Sequence, residues 1–276
     1  MNKEKYWKAA LEKTSSCIET GKLTPIKTID ITNTISSSND FVIRKIDTNK
    51  LIMNKNIGPK LNPFNPWDKD LEINKIGSNH QLILNKYPVQ VGHILLITKS
   101  WKPQNGWLDI ADWNAIKKVN NDTSGLWFFN SDTLAGASQP HRHIQLLRRS
   151  KNEKSCPRND WFINFNNSNI IKNKLYSKIE VNSFNFKEPD DKIYKKYLFL
   201  SRKLGLGDPL KDKKPRCPYN LLITNKWIAL IKRKNDNVHG FSINGLGFAG
   251  YILVTNNSDI NYLKKFGPER LLESFV

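Results

Sequence analysis

The sequence predicts an α+β fold with a mainly antiparallel sheet and flanking helices. Two pairs of apolar, β-branched segments, at residues 81–85 with 93–98 and at 219–224 with 227–232, are each joined by a short connection. Such pairs are typical of antiparallel hairpins. Other segments repeat their apolar residues with the period of an amphipathic helix. The chain has 276 residues, enough to bury a substantial core, and we expect a single domain over residues 1–276.

The amino-terminal part predicts one helix followed by strands. Residues 3–20 have an amphipathic helical period. The inward face of this helix would carry Trp7, Leu11 and Ile18. Residues 25–35 and 41–46 alternate in the manner of edge strands, and the proline-containing residues 56–67 are expected to form an ordered loop.

The middle of the chain predicts a helix and two strands around a loop. Asp109 is a suitable N-cap for a helix that ends near Asn121. Residues 126–130 form a compact aromatic strand, residues 131–140 a loop and residues 141–147 a second strand. An active centre is expected in this strand, loop and strand.

The carboxy-terminal part predicts mixed elements. Residues 161–165 could form a strand, and residues 190–204 return to a helical period. Residues 241–254 supply the last strand or strands, and residues 259–275 are expected to form a terminal helix.

Composition limits the class of protein. A hydrophobic fraction of 38% and eight Trp argue against disorder. The sequence has no stretch of about 20 apolar residues and its start lacks the apolar core of a signal peptide, so we expect a cytoplasmic protein. Its three cysteines are widely separated and indicate neither a disulfide framework nor a zinc knuckle.

The net charge of +19 has three interpretations. Nucleic-acid-binding proteins are often this basic, because counterion release drives their affinity. An enzyme that acts on nucleotide polyphosphates would also benefit, since a positive field concentrates an anionic substrate. The third interpretation is lysine-rich amino-acid usage, with charges scattered over solvated surfaces, and we regard it as the largest contributor.

The most informative segment runs from Gly136 to Gln145. His141, His143 and Gln145 stand two residues apart, so an extended strand would place all three on one face. The preceding small residues would leave backbone N–H groups exposed to cradle a phosphate. A structural histidine pair and a zinc site are alternatives, although glutamine is a poor zinc ligand and Cys156 lies beyond a basic stretch. The interpretation that remains is nucleophilic catalysis by an imidazole.

The Gly136-Ala137-Ser138-Gln139 segment, followed after one residue by His-x-His-x-Gln, resembles the diadenosine tetraphosphate phosphorylases, also called ATP adenylyltransferases. They are a branch of the histidine-triad superfamily. Further segments that resemble this family, in the same order, are residues 82–89, 93–99, 127–131, 219–224 and 244–250. The resemblance implies a histidine-triad-like fold. It also implies phosphorolysis of diadenosine tetraphosphate to ADP and ATP through a covalent adenylyl-histidine.

The resemblance also implies roles for individual residues. His143 would be the nucleophile, His141 an orienting or leaving-group-assisting neighbour, and Gln145 a donor to a phosphate oxygen. The implied substrate contacts are Lys55, Asn85, Lys86, Asn130, Gly136, Ala137, Ser138, Gln139, Asn244, Gly245, Leu246 and Tyr251. Near position 255 the family tends to carry a lysine, whereas this chain has Thr255.

The resemblance implies small-molecule partners: diadenosine tetraphosphate, ATP, ADP and phosphate, with neither nucleic acid nor membrane. No tightly bound cofactor or protein-held metal is expected, and a divalent cation such as Mg²⁺ is compatible with the nucleotide. The alternatives are a dinucleoside polyphosphate hydrolase, a uridylyltransferase and a basic nucleic-acid-binding protein. The sequence leaves the oligomeric state open.

Overall fold

The computed structural model describes residues 3–36, 38–47, 64, 66–150, 153–167 and 174–276. The strands are β1 (Thr28–Asp30), β2 (Val42–Ile46), β3 (Glu72–Ile76), β4 (His80–Leu84), β5 (Ile94–Thr98), β6 (Leu126–Asn130), β7 (His143–Leu147), β8 (Ile179–Ser183), β9 (Tyr219–Ile223), β10 (Trp227–Lys232), β11 (Asn237–Val238), β12 (Phe241–Ser242) and β13 (Tyr251–Val254). The helices are α1 (Lys5–Glu19), α2 (Thr32–Ile35), α3 (Ile110–Asn120), α4 (Asn159–Ile163), α5 (Asp190–Lys203), α6 (Gly245–Phe248) and α7 (Ile260–Glu273).

An eight-stranded sheet forms the centre, in the order β3-β4-β5-β7-β6-β9-β10-β8. Every neighbouring pair in it is antiparallel. Five of its strands, β4, β5, β6, β7 and β9, are buried along their whole length. Because a strand exposes alternate residues on opposite faces, complete burial requires a core on each side of the sheet. Two apolar clusters meet this requirement.

A smaller three-stranded sheet, in the order β1-β2-β13, lies beside the second of these cores. Here β13 runs parallel to β2, with Tyr251 opposite Val42 and Val254 opposite Lys45. Strand β2 thus pairs with a segment about two hundred residues further along the chain. The short helix α6 leads into β13 and packs against it.

The α+β fold predicted from sequence is confirmed. Strands β4 and β5 pair as expected, and so do β9 and β10. The predicted N-cap of α3 is confirmed in detail: the Asp109 side chain accepts from the N–H of Asp112, and the Asp112 side chain accepts from the N–H of Asp109. This capping box fixes the start of the helix.

Three predictions for the amino-terminal part are wrong. The buried stripe of α1 contains Tyr6, Ala10, Thr14 and Cys17 rather than Trp7, Leu11 and Ile18. Residues 25–35 contain β1 followed by α2, because the Asp30 carboxylate accepts from both the N–H and the hydroxyl of Thr32 and so turns the chain. Strand β2 is the central strand of its sheet and not an edge, since β1 and β13 flank it.

Three further corrections concern later segments. Residues 161–165 belong to α4 and its end and not to a strand, because Phe162 stacks on Trp227 with ring centroids 4.3 Å apart and its tertiary packing decides the conformation. Residues 241–254 are interrupted by α6, which the Asn244 side chain caps. Strand β7 begins at His143, and His141 instead forms an isolated bridge with Pro103.

Within the described residues, no helix is long and apolar enough to cross a membrane. The predicted loop at residues 56–67 falls largely outside the described residues.

Candidate active site

A cavity of about 250 Å³ lies between the small sheet, helix α6 and the β6–β7 part of the large sheet. Its apolar wall includes Val42, Phe128, Leu147 and Ile252. The residues predicted from sequence that line it are Asn85, Asn130, Gly136, Ser138, Gln145, Asn244, Leu246 and Tyr251. Segments from distant parts of the chain therefore converge on one cavity.

His143 stands two positions before Gln145 on β7 and therefore on the same face of that strand, although it is not itself among the described residues that line the cavity. Its Nδ1 lies 2.8 Å from the main-chain oxygen of His141. A carbonyl oxygen only accepts, so Nδ1 carries the proton and Nε2 keeps its lone pair. The pKa of His143 is lowered to about 4, mainly by burial; the hydrogen bond to the His141 carbonyl acts to raise it, and the nearby His141 ring acts to lower it. The ring is a neutral imidazole with one nucleophilic nitrogen.

His141 contributes its main chain to this arrangement, while its ring is held elsewhere. Its Nε2 lies 2.8 Å from the carbonyl oxygen of Thr98 and 3.0 Å from the Thr98 hydroxyl. Burial lowers the pKa of this ring as well. The rings of Phe64 and Trp101 pack against it edge-on. The contact between the His141 carbonyl and the His143 ring fits the orienting alternative better than assistance to a leaving group.

Another buried histidine, His93, lines the cavity together with Gln145. Its Nδ1 accepts from the side-chain amide of Asn85 at 3.2 Å, which places the proton on Nε2. That Nε2 is buried and has no hydrogen-bond partner among the described residues. Burial lowers the pKa of His93 to about 4, although the adjacent Gln145 side chain acts to raise it. His93 was not predicted as a site residue, although it begins the segment 93–99 that resembles the family and directly precedes the apolar strand β5.

The loop before β7 corrects one expectation. The N–H groups of Ala135 and Ala137 both donate to the carbonyl of Asp132, and the Gly136 N–H donates to Thr133, so the loop closes on itself. The N–H groups of Gly136 and Ala137 are consequently not available to a phosphate. Those of Ser138 and Gln139 make no hydrogen bond with described residues.

Gly136 adopts a φ of 85°, in the region that favours glycine. A Cβ atom added there would lie 2.6 Å from the Cβ of Asn244. The loop and the α6 segment therefore touch at Gly136. A residue with a side chain at this position would keep them apart.

A buried amide network holds the loop against α6. The Asn130 Oδ1 accepts from the N–H of Gly245 and from the side chain of Asn220, both at 2.9 Å. The Asn220 amide also donates to the Ala135 carbonyl at 2.8 Å. Asn130 thus binds protein groups through Oδ1, while it also faces the cavity. Asn220 was not predicted as a site residue, although it lies in the segment 219–224 that resembles the family.

Arg233 lies beneath this network and was also missed. Its guanidinium donates to the carbonyls of Ala135 and Ile243 and to the Asn220 side chain, at 2.7 to 3.2 Å. Burial lowers its pKa to about 9, and it forms no salt bridge with the described residues. The loop and the α6 segment are therefore joined through a buried cation.

Behind β7, a buried ion network anchors the strand. Arg142, between the two histidines of the motif, donates to Asp112 at 2.9 Å, and His80 Nε2 lies 2.8 Å from the other oxygen of that carboxylate. Burial alone would raise the pKa of Asp112, but the hydrogen bond from His80 and the charge of Arg142 lower it below its ordinary value. Asp112 also closes the capping box of α3, so the helix and the motif are joined through one carboxylate.

The other predicted residues lie near the cavity or outside the described structure. Lys55 falls outside the described residues. Lys86 is exposed, and its ammonium lies over the Tyr87 ring. Ala137, Gln139 and Gly245 are not among the described lining residues.

Tyr251 lines the cavity and donates its hydroxyl to the Lys154 carbonyl. The departure at Thr255 lies beyond β13, where its main-chain N–H donates to Ser258.

No group of three or more His, Cys, Asp or Glu side chains in the described part of the chain is placed to hold a metal ion.

Two family models match this chain. The model of the Ap4A phosphorylase N-terminal domain matches residues 1–161, and that of the ATP adenylyltransferase C-terminal domain matches residues 141–276. Diadenosine 5',5'''-P1,P4-tetraphosphate phosphorylase 2 of Saccharomyces cerevisiae is 26% identical over 248 residues, covering 79% of this chain and 75% of that protein. Protein APA1 of the same yeast is 24% identical over 202 residues, covering 64% and 62%.

Solved structures share the fold. The crystal structure of yeast Ap4A phosphorylase Apa2 in complex with AMP matches with a TM-score of 0.74 at 22% identity, over 99% of this chain and 96% of that one. The complex of Apa2 with Ap4A matches with a TM-score of 0.70 at 18% identity, over 97% and 94%. The first family model spans more than half of the chain, and the second continues from it to the last residue. The chain belongs to the Ap4A phosphorylase (ATP adenylyltransferase) family.

Proposed function

We propose that this chain splits diadenosine tetraphosphate with inorganic phosphate, releasing ATP and ADP through an adenylyl group carried by His143. The observation that carries the proposal is the fixed tautomer of His143, whose Nδ1 proton is bound by the His141 carbonyl while Nε2 is free to attack. Family membership supports the reaction type, and the yeast phosphorylase related to this chain carries the activity in its name.

In the first step, Nε2 of His143 attacks the α-phosphorus of one adenosine. A bond forms between nitrogen and phosphorus, the bond from that phosphorus to the bridging oxygen breaks, and ATP leaves with the electron pair. The ring acquires positive charge because it keeps its Nδ1 proton. The His141 carbonyl, 2.8 Å from Nδ1, stabilises this charge.

In the second step, an oxygen of inorganic phosphate attacks the same phosphorus. The nitrogen–phosphorus bond breaks, ADP is released and His143 returns to the neutral imidazole. A positively charged ring is a good leaving group, so the hydrogen bond that supports the first step also supports the second.

The cavity is suited to the adenosine of the transferred group. Its apolar wall, including Val42, Phe128 and Ile252, offers burial to a base, while Asn85 and Asn244 offer amide groups to a ribose. Gln145 lines this cavity two positions along β7 from His143, and it can donate to a non-bridging phosphate oxygen without ionising.

The departing polyphosphate would meet Ser138 in the cavity lining. The N–H groups of Ser138 and Gln139 make no hydrogen bond with described residues, and Lys86 is a proposed cation. Lys55, the other cation predicted from sequence, lies outside the described residues. The chemistry needs no tightly bound cofactor. A cation such as Mg²⁺ would enter with the nucleotide, and activity measured against EDTA and added Mg²⁺ tests this.

The test is incubation with diadenosine tetraphosphate, with and without phosphate, followed by separation of the products. We expect ATP and ADP in equal amounts, and only when phosphate is present. Without phosphate, rapid quenching should trap one AMP on His143, identified by mass spectrometry of the peptides. The variant His143→Ala should carry no AMP, whereas His239→Ala, at an exposed histidine stacked on Tyr262, should carry as much as the unmodified chain.

Other outcomes would assign other functions. Turnover to ATP and AMP without phosphate would indicate a dinucleoside polyphosphate hydrolase. AMP on the His143→Ala variant would exclude this nucleophile. Salt-sensitive binding to RNA or DNA that survives His143→Ala, with no turnover of the dinucleotide, would favour a nucleic-acid-binding protein.

A further inference from the structure

Strands β6 and β7 separate where the candidate nucleophile lies. They pair from Leu126 opposite Leu147 to Phe128 opposite Gln145. The same register, continued by two residues, would place Asn130 opposite His143, but no strand pairing forms there. Where two neighbouring strands stop pairing before they end, their main-chain N–H and C=O groups need other hydrogen-bond partners.

The side chain of Gln104 occupies the gap. Its Oε1 accepts from the main-chain N–H of His143 at 2.8 Å. Its Nε2 donates to the main-chain oxygen of Asn130 at 2.7 Å and to that of His143 at 3.2 Å. Gln104 is buried, so no water replaces it without rearrangement. One carboxamide thus supplies a donor and an acceptor in the way a neighbouring strand would.

The segment that carries Gln104 is itself fixed to the motif. The main-chain N–H of Gln104 donates to Pro140 at 2.8 Å, and that of Arg142 donates to Lys102 at 2.9 Å. Pro103 forms the isolated bridge with His141. The amide of Gln104 is therefore held at a fixed distance from the His143 backbone rather than resting on a mobile loop.

The direction of the His143 ring depends on this backbone. Its Nδ1 is bound to the carbonyl of His141, so the plane of the ring follows the main chain from residue 141 to residue 143. The N–H and C=O of His143 both point toward β6 and both end on Gln104. A shift of the main chain here would move Nε2 by a similar distance, and near-attack geometry tolerates little displacement.

We infer that Gln104 is a positioning residue for the nucleophile: it replaces strand pairing where β6 and β7 part, and so keeps Nε2 of His143 aimed at the α-phosphorus. The inference rests on the proposed function. It assigns to Gln104 an effect on the chemical step rather than on nucleotide binding, because its side chain contacts the main chain of His143 and Asn130 and is not among the described residues that line the cavity.

The first test compares Gln104→Leu with Gln81→Leu. Gln81 is a buried glutamine on β4 of the large sheet, and its amide bonds only to the Leu82 carbonyl among the described residues. We expect Gln104→Leu to lower kcat about a hundredfold while KM for diadenosine tetraphosphate stays within about threefold. Gln81→Leu should change kcat less than about twofold. Equal losses of kcat in the two variants would overturn the inference, since a general weakening of the sheet would then explain them.

The second test uses Gln104→Glu and pH. Burial raises the pKa of a carboxyl group, and its protonated form still offers one donor and one acceptor. We expect kcat of this variant to approach that of the unmodified chain at low pH and to fall as the introduced carboxyl ionises and repels the two carbonyl oxygens. A kcat that follows the pH profile of the unmodified chain would contradict a positioning role. This variant also serves if Gln104→Leu does not fold.

A third measurement needs no activity. Amide hydrogen exchange at His143, followed by NMR on the unmodified chain and on Gln104→Leu, should accelerate at least tenfold at this one amide relative to other amides of β7. Unchanged exchange would overturn the inference even if the proposed function holds. Faster exchange in a chain that does not split diadenosine tetraphosphate would overturn the proposed function and retain the hydrogen bond assigned to Gln104.

Discussion

Acid should destabilise this protein through two of the buried histidines of the site, His93 and His143. Burial lowers the pKa of both His93 and His143 to about 4, against an ordinary 6.5. As pH falls below 6.5, the unfolded chain binds protons that the folded chain does not bind until about pH 4. The contribution of these two rings to the free energy of unfolding is therefore fully present above pH 6.5 and is lost progressively down to about pH 4. The gap of about 2.5 pH units corresponds to about 3 kcal/mol for each ring.

Urea unfolding at pH 7 and at pH 4 measures this loss. The variant His143→Asn removes one of the two rings. Between pH 7 and pH 4, its free energy of unfolding should therefore fall less than that of the unmodified chain, by about 3 kcal/mol. His239→Asn, at an exposed histidine, controls for removal of a histidine as such and should leave the difference unchanged.

Two results would refute the reasoning. One is an NMR titration of His143 that gives a pKa near 6.5, because the ring would then not be desolvated as its burial requires. The other is an acid limb of kcat/KM between pH 6 and pH 7 that is traced to His143, since a ring with a pKa of about 4 does not change its protonation state in that range.

The remaining predictions concern the supports of the site. Asp112→Asn leaves the buried Arg142 without its counter-charge and should cost about 3 kcal/mol or more in urea unfolding. The same variant should lower kcat, because Arg142 lies between the histidines of the motif. An unchanged kcat would show that the ion network does not affect the position of the motif residues. Gly136→Ala would force a Cβ against Asn244 and should raise KM several-fold in steady-state assays. Gly205→Ala, at a similar φ of 71° but with open space around it, should cost only about 1 kcal/mol and leave KM unchanged.

Local patterns were sufficient for elements whose partners are close in sequence. The β4–β5 and β9–β10 hairpins were predicted because each pairs neighbouring segments, and α3 because its cap lies within four residues of its start. The small sheet was not predicted, since β2 pairs with β13 across about two hundred residues and no local signal records that choice. The helix α4 was predicted as a strand because its aromatic residues suit either conformation until Trp227 packs against them.

The candidate site divides in the same way. The motif residues His141, His143 and Gln145 could be predicted because their alternation and their resemblance to a family are both written in consecutive positions. The roles of His93, Gln104 and Asn220 were not predicted. His93 and Asn220 lie in segments that resemble the family but that assigned them no role, and Gln104 and Asn220 bond to residues far along the chain. The expected phosphate cradle at Gly136 and Ala137 failed for a related reason. Small side chains leave N–H groups open to a ligand only if the loop does not bind those groups itself. Here the N–H groups of Gly136 and Ala137 donate to the carbonyls of Thr133 and Asp132.

The positive charge of the chain and the chemistry of the cavity are separate features. The chain carries +19, yet Arg44 is the one Lys or Arg among the described residues that line the cavity, and its guanidinium already donates to Thr28. A cation beside His143 would oppose the positive charge that develops on the ring as Nε2 attacks phosphorus. Amide and hydroxyl donors such as those of Gln145 and Ser138 can hold phosphate oxygens without that cost. Lysines outside the cavity can still raise the local concentration of an anionic nucleotide. In the proposed reaction, a cavity with Arg44 as the one Lys or Arg of its described lining would let the imidazole remain unprotonated, attack, and carry charge only while the adenylyl group is attached.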